Sequence, residues 1–243
     1  MFDTLFHAVE RAKPVWTRFR KERDAQAKAL FEDLWRRGDF WQLESSEFEH
    51  ERLARLFGAI ADRHYGRALD LGCGIGTFTR QLPGLAQEVL GLDISDAAIQ
   101  RARRDSPDSR VEFRQANIIE YDARSEGPWD LIVIAETVYY LGWLYAFFDV
   151  AYFASTLFEA TATGGRLLLA NTFGDSSGMW LLRPWIIATY RDLFANVGYT
   201  LEHEFVHTGT KGGMEMEVLI TLFEKGDDIT RSHRPEESWW HRN

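Results

Sequence analysis

The sequence contains a single cysteine, Cys73, among its 243 residues. One cysteine cannot form an internal disulfide, nor can it build a zinc site that needs several thiolates. No apolar run approaches membrane-spanning length. The first residues also lack the basic segment and long apolar stretch of a secretory signal. These absences predict a soluble, cytoplasmic protein that does not associate with a membrane.

Positive charge is scarce as well, with 28 lysines and arginines against 37 aspartates and glutamates, a formal net charge of −9. A surface of this sign repels phosphates, so no nucleic-acid partner is expected. His203 and His207 share a face of a predicted strand, but two histidines do not make a metal site, and no metal is expected. The length suits one domain with additions, as a monomer or a homodimer.

Glycine is concentrated in one place, where Gly72, Gly74 and Gly76 follow a short apolar segment that ends in Asp70. A strand followed by such a turn lets a ligand approach the backbone closely. Dinucleotide folds use G-x-G-x-x-G, but here the spacing is G-x-G-x-G and Thr77 stands where the third glycine should be. Asp70 would repel a pyrophosphate and favours a cationic ligand. The alternative is a buried strand and glycine turn without a ligand.

The segment from Asp70 to Gly76, Asp-Leu-Gly-Cys-Gly-Ile-Gly, resembles the first motif of class I S-adenosylmethionine (SAM) dependent methyltransferases. The resemblance implies that SAM is the cofactor. It also implies that Asp70 lies near the methionine amino group of SAM. The glycines would let the backbone pass under the methionine and the ribose. Thr77 at the end of the turn and Ala135 at the end of a later strand are assigned to the same cofactor site.

Segments of strand and helix character alternate along the chain. Strands are predicted at 67–71, 88–93, 111–115, 130–135, 166–170, 199–206 and 215–223, and helices at 76–82, 95–103, 144–160 and 184–196. This alternation predicts a Rossmann-like α/β fold, with a seven-stranded, mostly parallel sheet, one antiparallel edge strand and helices on both faces.

Three regions are predicted from the same pattern. Residues 1–64 form a helical extension, which either packs on the domain edge or covers the site as a lid. Residues 65–224 form the SAM-binding core. Residues 225–243 form a flexible tail that holds Trp239 and Trp240.

The ends of the next two strands supply the other cofactor candidates, because ligands of open α/β sheets bind beyond the carboxyl ends of the strands. Asp93 can accept two hydrogen bonds from ribose hydroxyls, or it is an acid stabilised at the helix N-terminus before Ser95. Ile94 would pack beside the adenine. Many class I methyltransferases hold the adenine with an acidic residue and an apolar one, where this chain has Asn117 and Ile118. The amide can accept from the exocyclic amine and donate to a ring nitrogen, or merely cap a turn.

The acceptor candidates follow the fourth strand. Glu136 can hold an amine or take its proton, and Tyr140 is assigned with it to catalysis. Tyr139 and Tyr140 can form an aromatic wall whose faces stabilise a cation. The alternative interpretation is that Glu136 lies at a solvent-exposed strand end and that the two tyrosines pack against the next helix. Trp41 and Phe173 are the other candidate contacts to the acceptor.

Residues 39–43, 48–52 and 135–141 are similar to nodulation protein S, and the similarity covers about residues 39 to 170. That family N-methylates the glucosamine end of a chitooligosaccharide precursor. The resemblance implies in-line transfer of a methyl group to a small-molecule amine of amino-sugar type. A hydroxyl acceptor of natural-product metabolism and a SAM-binding protein without transferase activity are the alternatives. A third alternative is that the protein is a nicotinamide-dependent oxidoreductase.

Overall fold

The fold is built on a seven-stranded sheet, in a computed structural model that describes residues 20–174 and 182–226. The strand order is β3-β2-β1-β4-β5-β7-β6. The strands are β1 Tyr65–Leu71, β2 Ala86–Asp93, β3 Val111–Gln115, β4 Trp129–Ala135, β5 Thr161–Phe173, β6 Thr200–Lys211 and β7 Met214–Glu224. Strands β1 to β5 pair in parallel, whereas β7 runs antiparallel to β5 and β6. The predicted Rossmann-like fold is confirmed, and the antiparallel strand lies between β5 and the outermost strand, β6.

Helices follow the strands as the alternation predicts. They are α1 at residues 20–36, α2 Glu47–Ile60, α3 Asp96–Arg104, α4 Val138–Leu144, α5 Phe147–Ala160 and α6 Pro184–Asn196. Ser95 is the expected N-cap of α3, because its hydroxyl accepts a hydrogen bond from the backbone N–H of Ala98 at 3.2 Å. None of the described helices is long and apolar enough to cross a membrane.

Two predicted helices differ in the structure. The segment predicted at 76–82 is a 3-10 helix, Thr79–Gly84, which contains Pro83 and therefore lacks one backbone donor. The helix predicted at 144–160 is α5, which begins three residues later at Phe147, and the preceding helix α4 was not predicted. The two helices are separated by Tyr145 and Ala146, whose backbone is extended (ψ of 162° and 151°). The Asp149 carboxylate accepts from the Ala146 N–H at 3.3 Å and so starts α5 afresh.

The core forms two layers, because alternate residues of the central strands point to opposite faces. Leu69 and Ile132 pack with α4, α5 and α6 on one face. Ala68 and Leu131 pack with α2 and the 3-10 helix on the other. Predictions on residues 1–19, 175–181 and 227–243, including the tail that holds Trp239 and Trp240, lie outside the described residues.

Candidate active site

A cavity of about 270 Å³ opens at the carboxyl ends of β1, β2 and β4. Its floor is the glycine turn, and its roof is α1, which contributes Ala27, Phe31 and Trp35. The cavity brings together most of the residues that the sequence singled out: Trp41, Asp70, Gly72, Gly74, Thr77, Asp93, Ile94, Asn117, Ile118, Ala135, Glu136, Tyr139 and Tyr140.

Two predicted site residues do not line this cavity. A Cβ on Gly76 would lie 2.6 Å from the ring of Phe113, so this glycine allows close packing behind the turn and does not face the cavity. Phe173 packs instead beside Leu182 and neighbouring apolar residues. Thr172 lines the cavity in its place, because successive side chains of a strand point to opposite faces.

The glycine turn is pinned to the end of β2. Asp93 accepts hydrogen bonds from the backbone N–H of Gly74 at 2.9 Å and of Ser95 at 2.8 Å. Gly74 has a φ of +54°, and a Cβ there would lie 2.7 Å from Cζ2 of Trp35. Glycine is therefore required both by the backbone conformation and by the close approach of α1.

Burial dominates the electrostatics of this end of the cavity. Asp70 is 4% exposed and accepts from the Thr79 hydroxyl at 2.7 Å. Burial raises the pKa of Asp70 to about 7. The hydrogen bond from Thr79 opposes this rise, and the charge of Asp93 adds to it. Burial raises the pKa of Asp93 to about 6, although the hydrogen bonds from the N–H groups of Ser95 and Gly74 lower it in part. Neither carboxylate forms an ion pair in the described part of the chain, so a cationic ligand would stabilise both.

Cys73 lies within the turn and is free. Burial raises the pKa of its thiol well above the usual value, with Asp93 and Asp70 adding to the effect. A thiol in this state is a poor nucleophile.

Helix α1 is docked by polar contacts that the sequence pattern did not reveal. The Glu32 carboxylate accepts from the Ser95 hydroxyl at 2.8 Å and from the backbone N–H of Ala97 at 3.1 Å. Phe31 meets the ring of Tyr140 edge-on, with the centroids 5.1 Å apart. The charged and apolar faces of α1 predict a packed helix, but the partners of its carboxylates become known only from the fold.

The hydrogen bonds of the Asn117 side chain differ from those expected from the sequence. Its Nδ2 donates to Oδ1 of Asp24 at 3.0 Å and to the hydroxyl of Tyr145 at 3.1 Å. The Tyr145 hydroxyl in turn lies 2.6 Å from the same Asp24 oxygen. Since both amide hydrogens have partners on the protein, the expected donation to an adenine ring nitrogen is not supported.

Glu136 lies at the end of β4 with a φ of +54°, an uncommon backbone conformation for a residue other than glycine. The Tyr139 hydroxyl donates to its Oε2 at 2.9 Å. Oε1 is buried without a hydrogen-bond partner among the described residues, although the Thr172 hydroxyl nearby favours the ionised form. Burial raises the pKa of Glu136, and the charge of Arg52 partly offsets this effect. Glu136 is therefore not the solvent-exposed strand end of the alternative interpretation.

Three charged residues at this end were missed by the sequence interpretation. Arg52 is 4% exposed, and its Nε donates to Oε2 of Glu49 at 2.7 Å. Nζ of Lys211 lies 2.5 Å from Oε1 of Glu49 and donates to the carbonyl of Trp41 at 2.6 Å. Nη1 of Arg52 is buried without a partner in the described ranges. The three-residue spacing of Glu49 and Arg52 is visible in the sequence, but Lys211 arrives from the distant β6.

The described residues contain no group of three or more His, Cys, Asp or Glu side chains placed to hold a metal ion. His207 stacks on Phe48 with ring centroids 5.1 Å apart, and it is buried. His203 lies beside Phe205. His207 therefore has a packing role, whereas His203 is exposed.

Comparison with known proteins is consistent with this geometry. Nodulation protein S of Rhizobium tropici is 30% identical over 147 residues, which is 58% of this chain and 58% of that protein. Its counterpart in Bradyrhizobium diazoefficiens is 33% identical over 105 residues, 42% of this chain and 49% of that protein. The chain thus covers less than two thirds of the length of these relatives.

A solved structure, the N-methyltransferase NodS from Bradyrhizobium japonicum WM9 in complex with S-adenosylhomocysteine, shares the fold with a TM-score of 0.65. It is 23% identical and covers 77% of this chain and 92% of that one. The sequence model of the family "Nodulation protein S (NodS)" matches residues 23–145, about half of the chain. The chain therefore belongs to the nodulation protein S family, as the sequence resemblance predicted.

Proposed function

We propose that the protein transfers a methyl group from SAM to an amine nitrogen of a small polar molecule. The observation that carries this proposal is that a single cavity joins the buried Asp70 and Asp93 to Oε1 of Glu136, which has no hydrogen-bond partner among the described residues. Membership of the nodulation protein S family supports it, as does the likeness to the NodS N-methyltransferase structure.

The residues at the acidic end fit SAM. A buried Asp70 without an ion pair in the described chain suits the methionine ammonium, and Asp93 is placed for the ribose hydroxyls. Ile94 and Ile118 offer apolar contacts to an adenine ring. Thr77 has a buried hydroxyl oxygen without a partner among the described residues, which a carboxylate of the ligand would satisfy. When bound, SAM supplies a methyl group that is already activated by its sulfonium.

The protein's contribution is to position the acceptor and to receive a proton. Oε1 of Glu136 accepts an N–H of the acceptor amine, while Tyr139 holds Oε2 in place. The raised pKa of Glu136 suits it to take the proton as the new bond forms. Phe31 packs edge-on against Tyr140, which forms the aromatic wall, and Trp41 lines the same cavity. Alignment alone contributes roughly 7–11 kcal/mol in favourable cases. A neutral amine loses its proton late in the reaction, so no strong base is needed.

We assign α1 the role of a lid over a core of residues 65–224. Its support is the set of contacts that α1 makes with Ser95, Asn117 and Tyr140 around the cavity mouth. We also infer a cytoplasmic location, where SAM is available, and a small-molecule acceptor as the protein's partner.

The test is incubation of the purified protein with SAM and separate acceptors, followed by mass spectrometry. The panel holds an amino sugar, simple amines, phenols and sugars without an amine. Methylation of the amino sugar at nitrogen is the expected result. Product from hydroxyl acceptors alone would favour the O-methyltransferase alternative. SAM binding by calorimetry with no product from any acceptor would favour a binding protein, and NADH binding in place of SAM would indicate an oxidoreductase.

A further inference from the structure

The adenine end of the cavity contains a three-residue hydrogen-bond cluster of Asp24, Asn117 and Tyr145. Asp24 comes from α1, Asn117 follows β3, and Tyr145 lies between α4 and α5. The Asn117 amide nitrogen has two protein partners, Asp24 at 3.0 Å and Tyr145 at 3.1 Å. Asn117 and Tyr145 both line the cavity. Residues from three separate parts of the chain thus meet at one amide group.

This cluster determines which way the Asn117 amide faces. A carboxylate can only accept hydrogen bonds, so Asp24 selects the NH₂ side of the amide. The Tyr145 hydroxyl lies only 2.6 Å from Oδ1 of Asp24 and donates its hydrogen there, which leaves its oxygen free to accept from Asn117. Burial and Asp24 raise the pKa of Tyr145, so its hydroxyl keeps that hydrogen. Both amide hydrogens are therefore committed to the protein.

The carbonyl oxygen of Asn117 is left as the side-chain atom that can serve a ligand. Its contact within the described protein is long, 3.4 Å from the backbone N–H of Ile119. It acts as a hydrogen-bond acceptor, just as a carboxylate would at this position. The departure from an acidic residue in the sequence is thus compensated by a carboxylate on α1 that orients the amide.

We propose that Asp24 and Tyr145 are positioning residues that fix Asn117 as an acceptor for the exocyclic amine of adenine, and so make the site selective for an adenosyl cofactor. This rests on the proposed function, because it needs the adenosyl group in this cavity. It extends that function by making selectivity for the base depend on the docking of α1.

The experiment compares two ligands that differ in the base, S-adenosylhomocysteine and S-inosylhomocysteine. Inosine carries an oxygen where adenosine carries the amine, so it would face the Asn117 oxygen with a second acceptor. The wild-type protein should bind the adenosyl ligand more tightly by about tenfold or more, because unpaired buried acceptors are costly. Both dissociation constants are measured by calorimetry.

Asp24→Ala frees the amide to rotate and present its NH₂ group, so the preference should fall to within about threefold. Tyr145→Phe removes the second acceptor and should lower the preference in the same direction, which provides a second variant if Asp24→Ala does not fold. Glu32→Ala is the matched control. It removes another anchor of α1, at Ser95 and Ala97, without touching Asn117. It should weaken both ligands equally and leave their ratio unchanged.

An unchanged ratio in folded Asp24→Ala and Tyr145→Phe would overturn the inference, as would an equal fall of the ratio in Glu32→Ala. Failure of the proposed function is distinguishable from both. A protein that does not use SAM would bind neither ligand, and a SAM-binding protein without transferase activity would keep the base preference but give no methylated product with any acceptor. A lowered ratio in the two cluster variants alone supports the positioning role, because a merely structural defect would weaken both ligands together.

Discussion

Burial, more than pairing, sets the properties of the acidic residues around the cavity. Asp70, Asp93 and Glu136 all have raised pKa values, and in each case burial is the largest cause. Glu136 differs from the two aspartates in having a cation nearby, Arg52, which lowers its pKa in part. The end of the cavity with Asp70 and Asp93 thus suits a positively charged ligand. Under the proposed function, the end with Glu136 suits a group that delivers a proton.

Substitution Glu136→Gln tests the acceptor end. It keeps the shape but removes the group that takes the proton, so kcat should fall about a hundredfold while the affinity for S-adenosylhomocysteine stays nearly unchanged. Steady-state kinetics and calorimetry on the same preparation measure the two quantities. Tyr139→Phe, which leaves the carboxylate but frees its Oε2, should cost less. Unchanged turnover in Glu136→Gln would remove this residue from the mechanism.

The pKa of Asp70 predicts a pH dependence of ligand binding. Its pKa of about 7 in the folded protein lies above the ordinary value of 3.8, so its ionisation destabilises the ligand-free protein as pH rises between those values. A ligand ammonium binds the ionised form and lowers this pKa, so binding releases a proton. The affinity for S-adenosylhomocysteine should therefore increase from about pH 5.5 to about pH 7.5. Calorimetry in buffers of different ionisation enthalpy checks the proton release, and Asp70→Asn should reduce it to the part that comes from Asp93.

At the scale of helices and turns, the site depends on how α1 lies against the glycine turn. Trp35 packs against Gly74, and Glu32 binds the N-terminal end of α3. Helix α1 and the turn therefore close on each other with no space for an added side chain. The position of α1, the roof of the cavity, therefore depends on the conformation of the glycine turn, which is the floor of the proposed cofactor site.

The substitution Gly74→Ala tests the close contact between the glycine turn and Trp35 of α1, and Gly212→Ala is its matched control. The two glycines have similar φ values, +54° and +58°, but a Cβ on Gly212 meets nothing within 4 Å. Both substitutions should cost about 1–2 kcal/mol of stability through the left-handed backbone alone. Gly74→Ala should in addition displace Trp35 and weaken S-adenosylhomocysteine binding about tenfold or more. Equal affinity in the two variants, measured by calorimetry, would contradict the close docking of α1.

Local patterns predicted much of this fold. The glycine turn, the Ser95 cap and the bounds of α6 could be inferred because each depends on neighbouring residues. Helix α4 was missed because its seven residues make less than two helical turns, too short for a periodic pattern. The place of Phe173 depends on the phase of its strand, which the sequence did not settle. The roles of Asp24 and Lys211 could not be inferred, because their partners lie 93 and 162 residues away.

For the whole molecule, the lid assignment predicts a change in amide hydrogen exchange. With S-adenosylhomocysteine at about a hundred times its dissociation constant, binding adds about 2.7 kcal/mol to the closed state. Amides of residues 20–36 should then exchange up to about a hundredfold more slowly wherever exchange requires opening of the cavity. Helix α6 provides an internal reference and should change little. Protection confined to the glycine turn would show that α1 is an edge helix and not a lid.

The position of β7 has a consequence for how the protein is made. Strand β6 pairs only with β7 in the described sheet, and β7 follows it in the chain. During translation β6 therefore leaves the ribosome before the strand that can receive it. Lys211, at the end of β6, can reach Glu49 only after β7 has been added beside β5. Under the proposed function, the growing polypeptide should acquire the methyl-donor end of its cavity first, and the acceptor end only when the last strand has emerged.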